Sequence, residues 1–164
     1  MAENYRAFFE EIKNAPRERI SHLKKKSIVV GKMKPAWVLA LLQKGVALQS
    51  ATIIQRGEDV IHATRPTKRK SIDAEWWQKL PEHLEKPDAL LLDITKKDAL
   101  ALLFVYEDEN GKAKKLAVQI NKVLKESGEI LNVVRTGGIV SPQGLDGDNY
   151  ILVSGTPFWK KAKK

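Results

Sequence analysis

The stretch PDALLLDITKKDALALLFVYEDENGKAKKLAVQIN, residues 87–121, decides the fold class. It holds three strand-like runs, at 89–94, 100–107 and 114–121. The middle run is almost uniformly apolar, as a strand buried on both faces must be. In the third, Leu116, Val118 and Ile120 alternate with Ala117, Gln119 and Asn121, the period of a strand with one more exposed face. Asn110-Gly111 between the second and third runs suits a tight hairpin, because both residues tolerate positive φ.

C-terminal to this meander, 123–129 is a polar connection. Residues 130–136 read as another strand, ending in Arg135-Thr136-Gly137-Gly138. A Gly-, Pro- and Asp-rich loop fills 141–149, and 150–153 either closes the sheet or covers an edge. On the N-terminal side the pattern turns helical. Asp73 is placed as an N-cap, with Ile72 and Trp77 in hydrophobic-staple spacing. Pro81 splits the helix that follows into two short pieces. Further back, 46–55 reads as a strand, and Pro35 starts a helix over 35–44 that carries Trp37 on an apolar face. Tyr5, Phe8, Phe9 and Ile12 make a helical stripe that Pro16 ends. Helices first and an antiparallel meander after them predict an α+β fold, with N-terminal helices packed on a four- to five-stranded antiparallel sheet.

A chain of 164 residues is long enough for one domain with a substantial core. Its charge is unevenly placed. Residues 1–35 carry +5 and residues 156–164 carry +4, while everything between sums to zero. The expected organisation is a basic N-terminal helical extension over 1–34, the main domain over 35–155 and a Lys-rich tail over 156–164. Such ends either keep a protein dissolved or grip polyanions without sequence preference. Cysteine is absent and the three histidines are widely spaced, so neither a thiolate nor a zinc site is expected, and no cofactor. No apolar run approaches a membrane span and no signal-peptide core is visible, which points to the cytoplasm or the inside of a phage particle, without a membrane partner.

The chemistry-bearing residues cluster around 53–93. In GEDVIHATRP, Glu58, His62 and Arg65 fall at helical spacing and share a face. That face is either a surface ion cluster or an acid–base group beside a phosphate-gripping guanidinium. Lys68, Arg69 and Lys70 form a basic loop suited to nucleic acid. Arg135 and Thr136 end a strand before two glycines, which suit either the close approach of a ligand or an ordinary turn. Tyr150 and Ser141 are further donors if the last loop folds back. His22 and His83 read as exposed, His83 because Glu82 and Glu85 flank it.

The block ATIIQRGEDVIHATRP…IDAEWWQKLPEHLEKPDALLLD resembles the phage-associated barnase–EndoU–colicin–RelE-like nuclease domains found at the C-terminus of Mu F-type phage minor head proteins. The likeness runs roughly from Trp37 to Val140: a strand, a His-bearing segment, an acidic-aromatic helix, a Leu-Pro step and a Pro-Asp entry into a sheet. It implies a metal-independent ribonuclease-like fold that cleaves RNA by transesterification, with His62, Arg65, Arg135 and Thr136 as the matching catalytic positions. RNA, tRNA included, is the implied substrate, with an immunity or antitoxin protein or a phage head protein as further partner. Many members carry a His-Pro pair shortly after the first His, where this chain reads Arg65-Pro66. The alternatives are an inactive nucleic-acid-binding or virion structural module, and a protein-interaction domain with basic ends.

Overall fold

The structure is a computed structural model and describes residues 2–63 and 72–159. Its elements are α1 (Ala2–Lys13), α2 (Arg17–Leu23), β1 (Ser27–Lys32), α3 (Pro35–Gln43), β2 (Thr52–Arg56), α4 (Gly57–Ala63), α5 (Ala74–Trp77), α6 (Leu80–Glu85), β3 (Ala89–Asp93), β4 (Ala101–Glu107), β5 (Ala113–Val123), β6 (Ile130–Val140) and β7 (Tyr150–Gly155). The strands form one mixed sheet in the order β1-β2-β6-β5-β4-β3-β7. The chain is therefore α+β, but its sheet has seven strands rather than four or five. It is not wholly antiparallel either, since β2 pairs with β6 in parallel, Ile53 against Asn132 and Gln55 against Val134.

The meander β3–β4–β5 follows the sequence pattern. Leu102 and Phe104 point to one face of the sheet, Leu103 and Val105 to the other, and all four are buried. The hairpin uses Asn110 at φ 61° and Gly111 at φ 73°. Asp73 caps α5 by accepting a hydrogen bond from the Trp76 amide at 2.8 Å. Ile72 and Trp77 beside the cap are buried, as a staple requires. Pro81 falls in the first turn of α6, where its missing N–H costs nothing.

The helices cover one face. Tyr5, Phe9 and Ile12 of α1, Trp37 and Leu41 of α3, Val60 of α4, Trp77 and Leu84 pack with Leu102, Phe104, Leu116 and Val134 in a single core. Residues 1–34 thus do not form a separate extension. Their apolar stripe lies in the main core, Tyr5 donates a 2.6 Å hydrogen bond to the buried side chain of Gln55, and β1 pairs with β2. The strand expected over 46–55 begins only at Thr52. Although β1 and β7 are opposite edges of the sheet, α3, which follows β1, packs against β7. The sheet therefore curls around its helices.

A smaller cluster occupies the other face. Leu91, Leu103, Val105 and Ala113 are covered there by Leu145 and Trp159. This cover reaches only part of the face, so the end of the sheet near Asp93, Ala101 and Gln119 stays open.

Gly137 shows how closely the helices sit. A β-carbon there would lie 2.7 Å from Cζ2 of Trp77 and 3.0 Å from a methyl of Leu116. The glycine before Gly138 therefore makes room for the indole of α5 rather than for a ligand backbone. Gly137→Ala should destabilise the fold by about 1–3 kcal/mol through overpacking. Urea denaturation measures this, and an unchanged midpoint would mean that Trp77 does not press on β6.

Candidate nucleic-acid interface

Two local irregularities build the site. The first is a bulge in β6. Val118 pairs with Val134 and Ala117 with Thr136, so Arg135 is the extra residue without a partner on β5. A bulge of this kind bends the strand and re-aims the side chain it carries. The second is the abrupt end of β2. The Gly57 amide donates to the Lys26 carbonyl at 2.8 Å. A β-carbon at Gly57 would lie 2.0 Å from the Leu23 carbonyl oxygen, so only glycine fits. The chain passes from strand to helix without a loop, and α4 lies beside β6.

This arrangement brings Asp59 of α4 against the bulge. Its Oδ1 is 3.5 Å from Nε of Arg135, and the Asp59 side chain is 3% exposed against 36% for Arg135. Oδ2 of Asp59 is buried without a hydrogen-bond partner. Burial pushes the Asp59 carboxyl up to about 7, against the pull of Arg135 and, more weakly, of Arg56 and Lys122, while Glu58 adds to the rise. Among the described residues Asp59 is the only ion-pair partner of Arg135. Because Asp59 takes the Nε side of the guanidinium, the Nη groups remain for another acceptor.

Arg135 and Thr136 also line a cleft of about 330 Å³ on the open part of the outer face, together with Asp93, Thr95, Lys96 and Gln119. Asp93 is already engaged, accepting from the Thr95 amide at 2.9 Å and its hydroxyl at 2.6 Å. The floor is made by Ala101 and Ala117, small enough to leave the strands bare. Such a cleft offers the guanidinium of Arg135, the ammonium of Lys96, the Thr136 hydroxyl and the Gln119 amide to an anionic ligand, with the Asp93 carboxylate as the one opposing charge.

Of the expected catalytic set, Arg135 and Thr136 therefore share one cleft. His62 is exposed in the last turn of α4, one helical turn beyond Asp59, and is not among the residues lining that cleft. Arg65, Lys68, Arg69 and Lys70 lie outside the described residues. Tyr150 lines a different cavity, with Leu145 and Trp159, and Ser141 hydrogen-bonds the side chain of Gln143.

His83 departs from its expected exposure. Its ring stacks on Trp76 at 3.9 Å between centroids, and its Nε2 is buried without a partner. Burial holds its pKa below the ordinary value. Tyr106 donates to the His83 carbonyl at 2.6 Å, which ties α6 to β4. This histidine is a packing residue.

Asp59 is the site residue that the sequence reading missed. Its only local mark is an acid followed by Val60 and Ile61 directly after a strand. No family model matches the sequence, and neither a curated protein nor a solved structure matches it.

The raised pKa has a signed consequence. Between the ordinary carboxyl value of 3.8 and about 7, the folded chain holds a proton at Asp59 that the unfolded chain has released. Stability from this group therefore falls as pH rises across that window and is level above it. Asp59→Asn removes the charge while keeping the shape. It should be more stable than the Asp59 chain at pH 8, on the order of 1–3 kcal/mol, with the gap closing towards pH 5. Urea midpoints at several pH values check this, and a less stable Asn variant at pH 8 would contradict it.

Proposed function

We propose that the chain binds RNA across the open face of the sheet and cleaves it by metal-independent transesterification. The observation that carries this reading is Arg135, lifted by a bulge into a polar cleft and held from behind by a buried carboxylate. A guanidinium fixed in this way meets non-bridging phosphate oxygens with two donors, the geometry that best stabilises a phosphorane. The net charge of +9 lies at the two ends of the chain, outside the cleft, and adds only a sequence-independent attraction for a polyanion.

In the proposed reaction the 2′-oxygen attacks phosphorus and its proton passes to His62, the exposed imidazole in the last turn of α4. The bond from phosphorus to the 5′-oxygen breaks, leaving a 2′,3′-cyclic phosphate. The 5′-oxygen leaves with a proton taken from water, His62 returns its own proton to the hydroxide so formed, and the Thr136 hydroxyl at the cleft serves as a hydrogen-bond donor to the phosphate. Lys96 and Gln119 hold the neighbouring backbone. No helix among the described residues is long and apolar enough to cross a membrane.

A second reading, RNA binding without cleavage, is favoured by one observation. Among the described residues His62 has no hydrogen-bond partner to orient its ring, and an unoriented base is a poor catalyst. Incubating the purified chain with single-stranded RNA in EDTA separates the two. Cleavage to cyclic-phosphate ends, reduced about 100-fold or more by Arg135→Ala and also by His62→Ala, supports the enzyme. Salt-sensitive binding without cleavage supports the binding module. Neither binding nor cleavage would overturn both.

A further inference from the structure

A ligand phosphate at Arg135 and the carboxylate of Asp59 compete for one cation. The buried Asp59 lies 3.5 Å from Nε, and Arg135 also lines the cleft, whose lining does not include Asp59. When a phosphate arrives it draws the guanidinium away and adds a negative charge near a carboxylate that is almost wholly out of water. Both effects disfavour the ionised form of Asp59. Oδ2 is buried and makes no hydrogen bond, so a proton can settle there without breaking one.

Resting on the RNA reading above, we propose that Asp59 is a positioning residue that couples anion binding at Arg135 to the uptake of one proton. With the ionised carboxylate in place the guanidinium is held but its charge is partly cancelled. With the neutral acid the full positive charge faces the cleft. The carboxyl titrates near 7 in the free protein, so the exchange falls within the physiological range.

Other charged groups also face Asp59. Glu58 lies beside it on α4 and Lys122 approaches from β5. Arg56 approaches from the end of β2, and is itself paired with Glu58 at 3.6 Å and with Glu126 at 2.8 Å. His62 lies one turn along α4, so its imidazole is absent from the chain used in the comparison.

The test is the affinity of the full chain, carrying His62→Ala, for a 2′-O-methyl oligoribonucleotide that cannot undergo transesterification. It is measured between pH 6 and pH 8 at fixed ionic strength. One linked proton should tighten binding about threefold to tenfold as pH falls across that range. Adding Asp59→Asn should flatten the profile, with binding at pH 8 as tight as the Asp59 chain shows at pH 6. Arg135→Gln, a change at a half-exposed side chain, should weaken binding and flatten the profile too, which keeps the test decisive if the Asn variant misfolds. An undiminished pH dependence in either variant overturns the proposal while the RNA reading stands. Absence of RNA binding at every pH overturns both.

Discussion

Strand β2 ends where it does because the backbone at Gly57 is pressed against the Leu23 carbonyl, and only a residue without a side chain fits there. The remainder of the site follows from that stop. β2 is five residues long and β6 eleven, so the last half of β6 has no strand beside it on that flank. Helix α4 packs there instead, its Val60 entering the core while Asp59 meets the guanidinium raised by the bulge. A buried carboxylate with one idle oxygen is costly to stability. Keeping it against an arginine at the mouth of a polar cleft is what a chain does when the arginine's position matters more than that cost.

The two faces of the sheet divide the work. The inner face carries the helices and most of the core, with indoles, phenols and leucines packed so closely that Gly137 must lack a β-carbon. The outer face is only partly covered by Leu145 and Trp159, and small residues keep its open end shallow. Rigid strands with their backbones fixed by pairing on both sides hold polar groups at a constant spacing. Gln119 and Thr136 of the cleft stand on such paired strands, Arg135 stands on the bulge between them, and Thr95 and Lys96 come from the connection that follows β3.

Much of this was legible in the chain. The meander, the Asn110-Gly111 turn, the Asp73 cap and the split at Pro81 are local features, written in residues a few positions apart. What escaped is non-local. β1 is short and set among lysines at 24–26, 32 and 34, which disguise it as part of a basic helical extension. Its partner lies on β2, and the parallel pairing of β2 with β6 joins Ile53 to Asn132 without any neighbouring signature. The same limit governs the site. Arg135 and Thr136 were visible as polar residues ending a strand, but the bulge that aims Arg135 depends on register with β5. Asp59 looks like an ordinary acid at a helix start, and only the packing of α4 on β6 buries it. His83 looked exposed between two glutamates, whereas Trp76 stacks on it from across the break between α5 and α6.

The central claim is that Arg135 and its cleft hold a phosphodiester backbone, and amide and guanidinium NMR shifts on titration with a short RNA test it most directly. The account predicts that the perturbed signals cluster at Thr95, Lys96, Gln119, Thr136 and Nε of Arg135, while α1 and the Trp76–His83 stack stay still. Shifts concentrated on the helical face, with the Arg135 signal unmoved at saturation, would contradict it.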